Sequence, residues 1–230
     1  LALGDRTDWR LPSRFELDTI QDFLMTAPPV TAVFRGSTSP VPYWTVSSSS
    51  VSSASAWTVS FEDGSADVNN TAALRRVRCV RSVGAPSVPA GRYESSAEKG
   101  TVLDKVTALT WQRTVSSAMV GKWDAAKAAC TGLTLDGAGW RLPTVVELRS
   151  IVDLGKKNPS VDTVAFPDAP DAWFWSATPG ANQTGRKVSF QYGMNCSGCG
   201  NEGLVRCVRN GSCAADADCD DGDLCTAGHS

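Results

Sequence analysis

Apolar residues after Ser13 recur at helical spacing, at Phe15, Leu17, Ile20, Phe23 and Leu24. This is the stripe of a helix that buries one face. The helix is announced by D-W-R-L-P-S-R-F-E-L over residues 8–17. Pro12 keeps the residue before it extended, and Ser13 with Glu16 three residues later forms a capping box. Pro28 and Pro29 end the helix. A Ser-, Thr- and Pro-rich stretch follows from Val30 to Ala56, broken by Tyr43-Trp44, with six Ser between Ser47 and Ser53. The period then changes to two. Trp57, Val59 and Phe61 predict a half-buried strand, Asp63-Gly64 a turn, and Leu74–Arg81 a last strand with Val77 and Cys79 of V-R-C-V-R on one face.

After S-V-G-A-P-S-V-P-A-G at 82–91, a small, uncharged linker, the pattern is richer. Val102–Trp111 reads as two short strands about a bend at Asp104 and Lys105. Trp123, Ala126, Cys130 and Leu133 lie on one helical face, which turns Cys130 inward. G-W-R-L-P-T-V-V-E-L then stands at 139–148 with its own capping box, Thr144 and Glu147, and a helix carrying Val145, Leu148, Ile151 and Val152. A Pro-rich loop from Asn158 to Ala172, strands at Phe174–Ala177 and Lys187–Phe190, a loop at Met194–Gly203, and V-R-C-V-R at Val205–Arg209 complete it. The parts recur at a nearly constant offset: 131 from Trp9 to Trp140 and from Trp44 to Trp175, 129 from Val59 to Val188, and 128 from Cys79 to Cys207. Such spacing marks an internal duplication. Residues 1–81 form a partial unit, 82–91 a linker, 92–209 a complete unit and 210–230 a Cys- and Asp-rich tail. Arg92 to Gly132 has no counterpart in the first unit. Either that unit lost it, or it lies upstream in a precursor, or another chain supplies it.

Composition narrows the chemistry. A net charge of −2 and pI near 5.5 provide no global field for nucleic acid. No apolar run approaches the ~20 residues of a membrane-spanning helix. Eight Cys in compact spacings point to disulfides and an oxidising compartment, with a Cys-rich zinc protein as the alternative, since the single His is His229. Cys130 on the helix is expected to pair with Cys207 on the last strand, and Cys196 with Cys199 in C-S-G-C. A redox role for the latter is disfavoured because nothing nearby is cationic. Cys79 has no partner in its own unit, and Cys213, Cys219 and Cys225 leave one cysteine over. In the tail, Asp216, Asp218, Asp220 and Asp223 offer the oxygen ligands of a calcium loop. However, Asp221 stands where an EF-hand needs Gly, and the alternative is an acidic disulfide-braced spacer.

T-A-L-T-W-Q-R at 107–113, W-D-A-A-K-A-A-C-T-G-L at 123–133, G-W-R-L-P-T-V-V-E-L, F-W-S-A-T at 174–178 and L-V-R-C-V-R at 204–209 together resemble the Lcl (Legionella collagen-like) C-terminal domain family. The likeness extends over Arg92–Arg209 in full and over Leu1–Arg81 as a half-copy. It implies an α+β, C-type-lectin-like or formylglycine-generating-enzyme-like fold, duplicated and disulfide-braced. It also implies a bacterial surface or secreted protein, some relatives binding glycosaminoglycans or other glycans.

Catalysis is not expected. Triads and His-ligated metals need a His near the site, and Glu16 and Glu147 are occupied as caps. Binding is the stronger class, because sugars stack on aromatics. Tyr43, Trp44, Trp57, Trp173 and Trp175 are candidates; Trp44 and Trp175 recur in both copies and are better read as core, leaving Trp173 and Tyr192 as the exposed choices. Arg75, Arg76, Arg78 and Arg81 form either a sulfate-binding stripe, with Arg76 and Arg78 at its centre, or a solvated edge strand. The expectation is a non-enzymatic extracellular adhesion or glycan-binding module, without cofactor apart from calcium in the tail. The alternative is a subunit of an extracellular filament in which chains complete one another's half-units.

Overall fold

The computed structural model describes residues 6–23, 30, 33–34, 39, 41–81, 90–115, 118, 120–180 and 184–211. Both capping boxes are formed. α1 (Arg14–Asp18) starts at Ser13, whose hydroxyl accepts from the Glu16 N–H while Glu16 accepts from the Ser13 N–H. α3 (Val145–Ser150) starts in the same way at Thr144 with Glu147. Arg10 forks onto Glu16 at 2.8 and 2.5 Å, and Arg141 onto Glu147 at 2.8 and 2.7 Å. The Arg of each W-R-L-P thus locks the carboxylate that caps the helix. α1 is far shorter than its stripe predicts. The helix ends at Asp18, and Phe23 packs instead beneath the Arg186 guanidinium, 5.1 Å away. Leu24 lies outside the described residues.

The remaining elements are β1 (Tyr43–Ser48), β2 (Ser55–Val59), β3 (Ala66–Asn70), β4 (Tyr93–Ser96), β5 (Thr101–Asp104), β6 (Leu109–Gln112), α2 (Trp123–Thr131), β7 (Trp173–Pro179), β8 (Gly185–Ser189), β9 (Asn195–Ser197) and β10 (Val208–Asn210). They make two antiparallel sheets, one of order β10-β6-β5-β4 and one of order β1-β2-β3-β9-β8-β7. The fold is α+β, dominated by strands. The larger sheet reads the same from either end when each strand is exchanged for its copy, so the two units meet as a pseudo-two-fold pair. The joint is the register Ala66↔Asn195, 129 residues apart like the other repeats. Asn195 is buried there; its amide accepts from Ala66 N–H at 2.7 Å and donates to Gly64 O at 2.9 Å. The partial unit therefore continues the sheet of the complete one. Residues 82–89 of the linker lie outside the described residues.

Helices α1 and α3 lie on one face of this sheet and meet through buried charges. Asp18 accepts from Arg149, lies 3.8 Å from Arg14, and shares Arg149 with Gln21, whose carbonyl accepts at 3.2 Å. Arg14 also stacks on Trp57, 4.3 Å from the ring centre. Burial drives the Arg14 pKa down to about 9, lowers that of Arg149 and raises that of Asp18. Desolvation thus opposes the cluster, as it does for buried pairs generally. Asp18 and Arg149 are themselves equivalent by the offset of 131. Identical residues there would set like charge on like, and the unlike pair fits two different halves together.

In the complete unit the opposite face is covered by α2. There Ala126 and Cys130 of α2 pack with Trp140, Leu142, Trp175 and Cys207, and Cys130 is bonded to Cys207 across 77 residues. β10 pairs with β6. The predicted strand Leu74–Arg81 is not formed: only Arg76 and Val80 make isolated bridges, to Tyr43 and Arg10. In the second unit only the end of V-R-C-V-R, Val208 and Arg209, enters a strand, because β6 supplies a ladder, and the first unit has no such neighbour among the described residues.

Candidate functional site

A concavity of about 610 Å³ opens where the two units meet. Phe15 of α1 and Ser47 of β1 form its wall on the partial unit. Tyr93 of β4, Asp153 and Leu154 beyond α3, and Asp162 form the other. Each is held from behind. Arg92 forks onto buried Asp104 at 2.8 and 2.5 Å and donates to Ser150 O at 3.0 Å, which ties the start of β4 to the end of α3. Tyr93 stands edge-on to Phe166, ring centres 5.4 Å apart, under the Arg92 guanidinium at 4.9 Å. Burial first, and then the charges of Asp104, Asp162 and Asp153, raise the Tyr93 pKa against the pull of Arg92. Its hydroxyl is thus a neutral donor over the whole physiological range.

The carboxylates are fixed as turn residues. Asp162 accepts from the N–H groups of Val164 and Ala165 at 2.8 and 3.2 Å, and Asp153 from Gly155 N–H at 3.0 Å. Ser50 reaches across the units to donate to Lys156 O at 3.1 Å. The cleft thus combines a flat apolar rim with hydroxyls and carboxylates of set orientation, the mix found in sites for amphipathic small ligands. Among the described residues no cluster of three or more His, Cys, Asp or Glu could hold a metal. A second hollow, about 470 Å³, lies on the partial unit and is acidic, lined by Glu62, Asp63 and Asp67.

The residues singled out from sequence do not gather at the cleft, and none of them lines it. Trp173 is half-buried at the start of β7, its carbonyl accepting from Leu204 N–H at 2.8 Å. Tyr192 is half-buried in the turn between β8 and β9. Tyr43 is a core residue, not a surface one: it packs edge-on to Phe61 at 5.1 Å, and its hydroxyl accepts from Ser39 N–H. Trp57 and Trp175 are buried and Trp44 is half-buried. The arginines divide rather than form a stripe. Arg76 is exposed, Arg78 covers Phe34 and Tyr43, Arg75 donates to Asn69 and Arg81 pairs with Asp8. Cys196 and Cys199 are joined. Asp216, Asp218, Asp220 and Asp223, with Cys213, Cys219 and Cys225, lie outside the described residues. The cleft's own residues gave no sequence signal beyond exposed Phe15 next to a cap and two turn-forming Asp, because the site exists only once the units are apposed.

Residues 1–81 and 100–209 match the family model of the Lcl C-terminal domain. The chain belongs to the Lcl C-terminal domain family. The two matched stretches correspond to the partial unit and to most of the complete one, so the half-copy is itself recognisable as family sequence. Comparison with curated proteins and with solved structures finds no match. No helix among the described residues is long and apolar enough to cross a membrane.

Proposed function

We propose that this Lcl C-terminal domain protein is a non-enzymatic module of the bacterial exterior that binds glycans through the cleft between its two units. The observation that carries this reading is the composition of the cleft: Tyr93 and Phe15 as apolar surfaces beside Asp153, Asp162 and Ser47. Sugars present one apolar face and a rim of hydroxyls, and carboxylates in fixed turns accept from those hydroxyls. A C-type-lectin-like reading of the fold is supported by α2 and α3 flanking antiparallel strands, and by β10 returning to pair with β6 near the start of its unit. Family membership supports a surface protein.

The acidity of the cleft favours neutral or amino sugars over sulfated ones, which like charge repels. The test is a glycan array with the whole chain, followed by titration of Tyr93→Ala and Asp162→Asn. Binding of neutral or amino sugars that falls tenfold or more in both variants, and is unchanged in Trp173→Ala, is the expected result. No binding, or binding confined to sulfated sugars and lost in Arg76→Ala, overturns the assignment.

A further inference from the structure

The C-S-G-C loop has a cation beside it that the sequence did not announce. β9 pairs antiparallel with β8, and the register sets Lys187 opposite Cys196, so the two side chains stand on one face of the sheet. The Lys187 ammonium donates to Gly200 O at 3.1 Å and to Glu202 O at 2.8 Å, just past Cys199, and lies 4.4 Å from the centre of the Trp175 ring. Gly203 makes room for its stem, since a Cβ there would come within 3.2 Å of it. Lys187 is 1% exposed. Among the described residues it bonds to carbonyls alone, with Glu202 acting on its charge at longer range, whereas buried charges are ordinarily paired. The duplication supplies a control. At the offset of 129, Lys187 corresponds to Thr58, and Cys196 and Cys199 to Asp67 and Asn70. Thr58 faces Asp67 in the same register. The copy without cysteines thus has no cation, although a carboxylate stands ready for one, and the copy with cysteines has a lysine. The two disulfides also differ in access. Cys196 and Cys199 are half-buried, while Cys130 and Cys207 are fully buried in the core.

We propose that Cys196–Cys199 is an exchangeable disulfide that accepts electrons from external thiols, and that Lys187 holds the thiolate released when it opens. The expectation against a redox role rested on the want of a nearby cation, and Lys187 removes that ground. Opening creates the counter-charge that the buried ammonium lacks, and a cation beside a cysteine favours its thiolate. An incoming thiolate attacks one sulfur of the pair, forming a mixed disulfide and releasing the other cysteine as a thiolate. A second external thiol gives up its proton, displaces the attached cysteine and leaves as an external disulfide. Two electrons thus pass from two external thiols to the loop. Of their two protons, one goes to a loop cysteine and one to solvent, and the remaining loop thiolate faces Lys187. The exchange is stoichiometric, and its donor is an accessible thiol, carried by a small molecule or by a polypeptide. Neither cysteine lines the cleft, so failure of this proposal leaves the glycan reading untouched.

The test equilibrates the whole chain with graded mixtures of reduced and oxidised glutathione, quenches by alkylation and maps each cysteine by mass spectrometry. A parallel arm uses a reduced two-cysteine peptide, and the faster arm names the source of the thiol. Cys196–Cys199 is expected to open at a thiol-to-disulfide ratio at least tenfold lower than Cys130–Cys207. Opening of the two together, or of Cys130–Cys207 first, overturns the proposal. The part played by Lys187 is read from the pH profile of alkylation of the opened loop. One loop thiol should react with a midpoint about one pH unit or more below the ordinary thiol value of about 8.5. Lys187→Met should return the midpoint to that value, and Lys187→Arg, which keeps the charge, should hold it low. A midpoint at the ordinary value in the parent chain overturns the proposal whether or not the variants fold. So does a midpoint that stays low in a Lys187→Met chain with the Trp fluorescence of the parent.

Discussion

The two units differ in a way that separates what holds this fold together from what finishes it. Their inner faces are copies. Val46 N–H donates to Pro12 O at 2.8 Å and Ala177 N–H to Pro143 O at 2.6 Å; Trp44 N–H donates to Arg76 O and Trp175 N–H to Leu204 O, both at 2.9 Å. Arg78 lies 5.7 Å from the Tyr43 ring, as Arg206 lies 5.8 Å from that of Phe174. Their outer faces are not copies, because among the described residues β4–β6 and α2 exist once. A capped helix on a three-stranded meander therefore needs only a sister meander to form a sheet with a core. The meander-and-helix cover is a separable part, and it determines whether Trp44 or Trp175 surroundings result.

Removing the staple of the cover gives the largest effect. Cys130→Ser with Cys207→Ser releases a loop closed over 77 residues, worth about 4.5 kcal/mol by chain entropy. Urea unfolding followed by Trp fluorescence should show that loss, whereas Cys79→Ser in the same chain should leave the midpoint unchanged. Truncating the paired tryptophans reads the cover itself. Trp175→Ala empties a packed site and leaves Val120 O with only the Gly203 N–H at 3.3 Å in place of the indole donor at 2.9 Å as well, for about 4 kcal/mol. Trp44→Ala, at the uncovered copy, should cost about 1 kcal/mol. Equal losses would show that the two faces are equally packed and would refute the distinction.

The joint between the units ranks next. Asp18→Ala leaves Arg14 and Arg149 buried together without their carboxylate, for about 3 kcal/mol in the same unfolding measurement. The double variant Asp18→Leu, Arg149→Met should be less damaged than the sum of the single ones, since removing both charges also removes their desolvation. A strictly additive pair would mean that the cluster does not couple the halves.

The capped starts of α1 and α3 and the inward turn of Cys130 were legible because local chemistry and tertiary fate agree there, whereas β2, expected to be half-buried, is buried on both faces, with Thr58 and Ser60 as covered as Trp57 and Val59. The stripe from Phe15 to Leu24 misled, because Phe23 serves Gly64 and Arg186 of the sheet rather than a helix: a Cβ at Gly64 would sit 2.6 Å from the Phe23 ring. β3 and β9 gave no signal. Ala66–Asn70 and Asn195–Ser197 are polar and short, and they pair because the duplication brings them edge to edge. Leu74–Arg81 has the alphabet of a strand but lacks the neighbour that makes one. The cleft was illegible for a related reason, since Phe15 and Tyr93 become one site only through the joint at Ala66 and Asn195.

The smallest effect compares the two capping boxes. The Arg10 hydrogen bond holds the Glu16 carboxyl down at about 2, aided by the Ser13 N–H against a burial cost. Burial pushes Glu147 upward, yet Arg141 and the Thr144 N–H keep its value below the ordinary range. A depressed folded value means that protons bind the unfolded chain first. Each bridge therefore contributes in full above about pH 4.3, the unfolded value, and its contribution is lost as pH falls through the depressed folded value, about 2 for Glu16. Each bridge is partly exposed, so solvent screening keeps each contribution small. Unfolding midpoints from pH 6 to pH 2.5 should fall less steeply in Glu16→Gln and in Glu147→Gln than in the parent chain, and by similar amounts in the two. The similarity is the sharp part, because it follows from identical local geometry in an uncovered and a covered unit. A loss confined to Glu147→Gln would mean that the cap works only beneath its cover, and that the partial unit is not an autonomous copy of the inner fold.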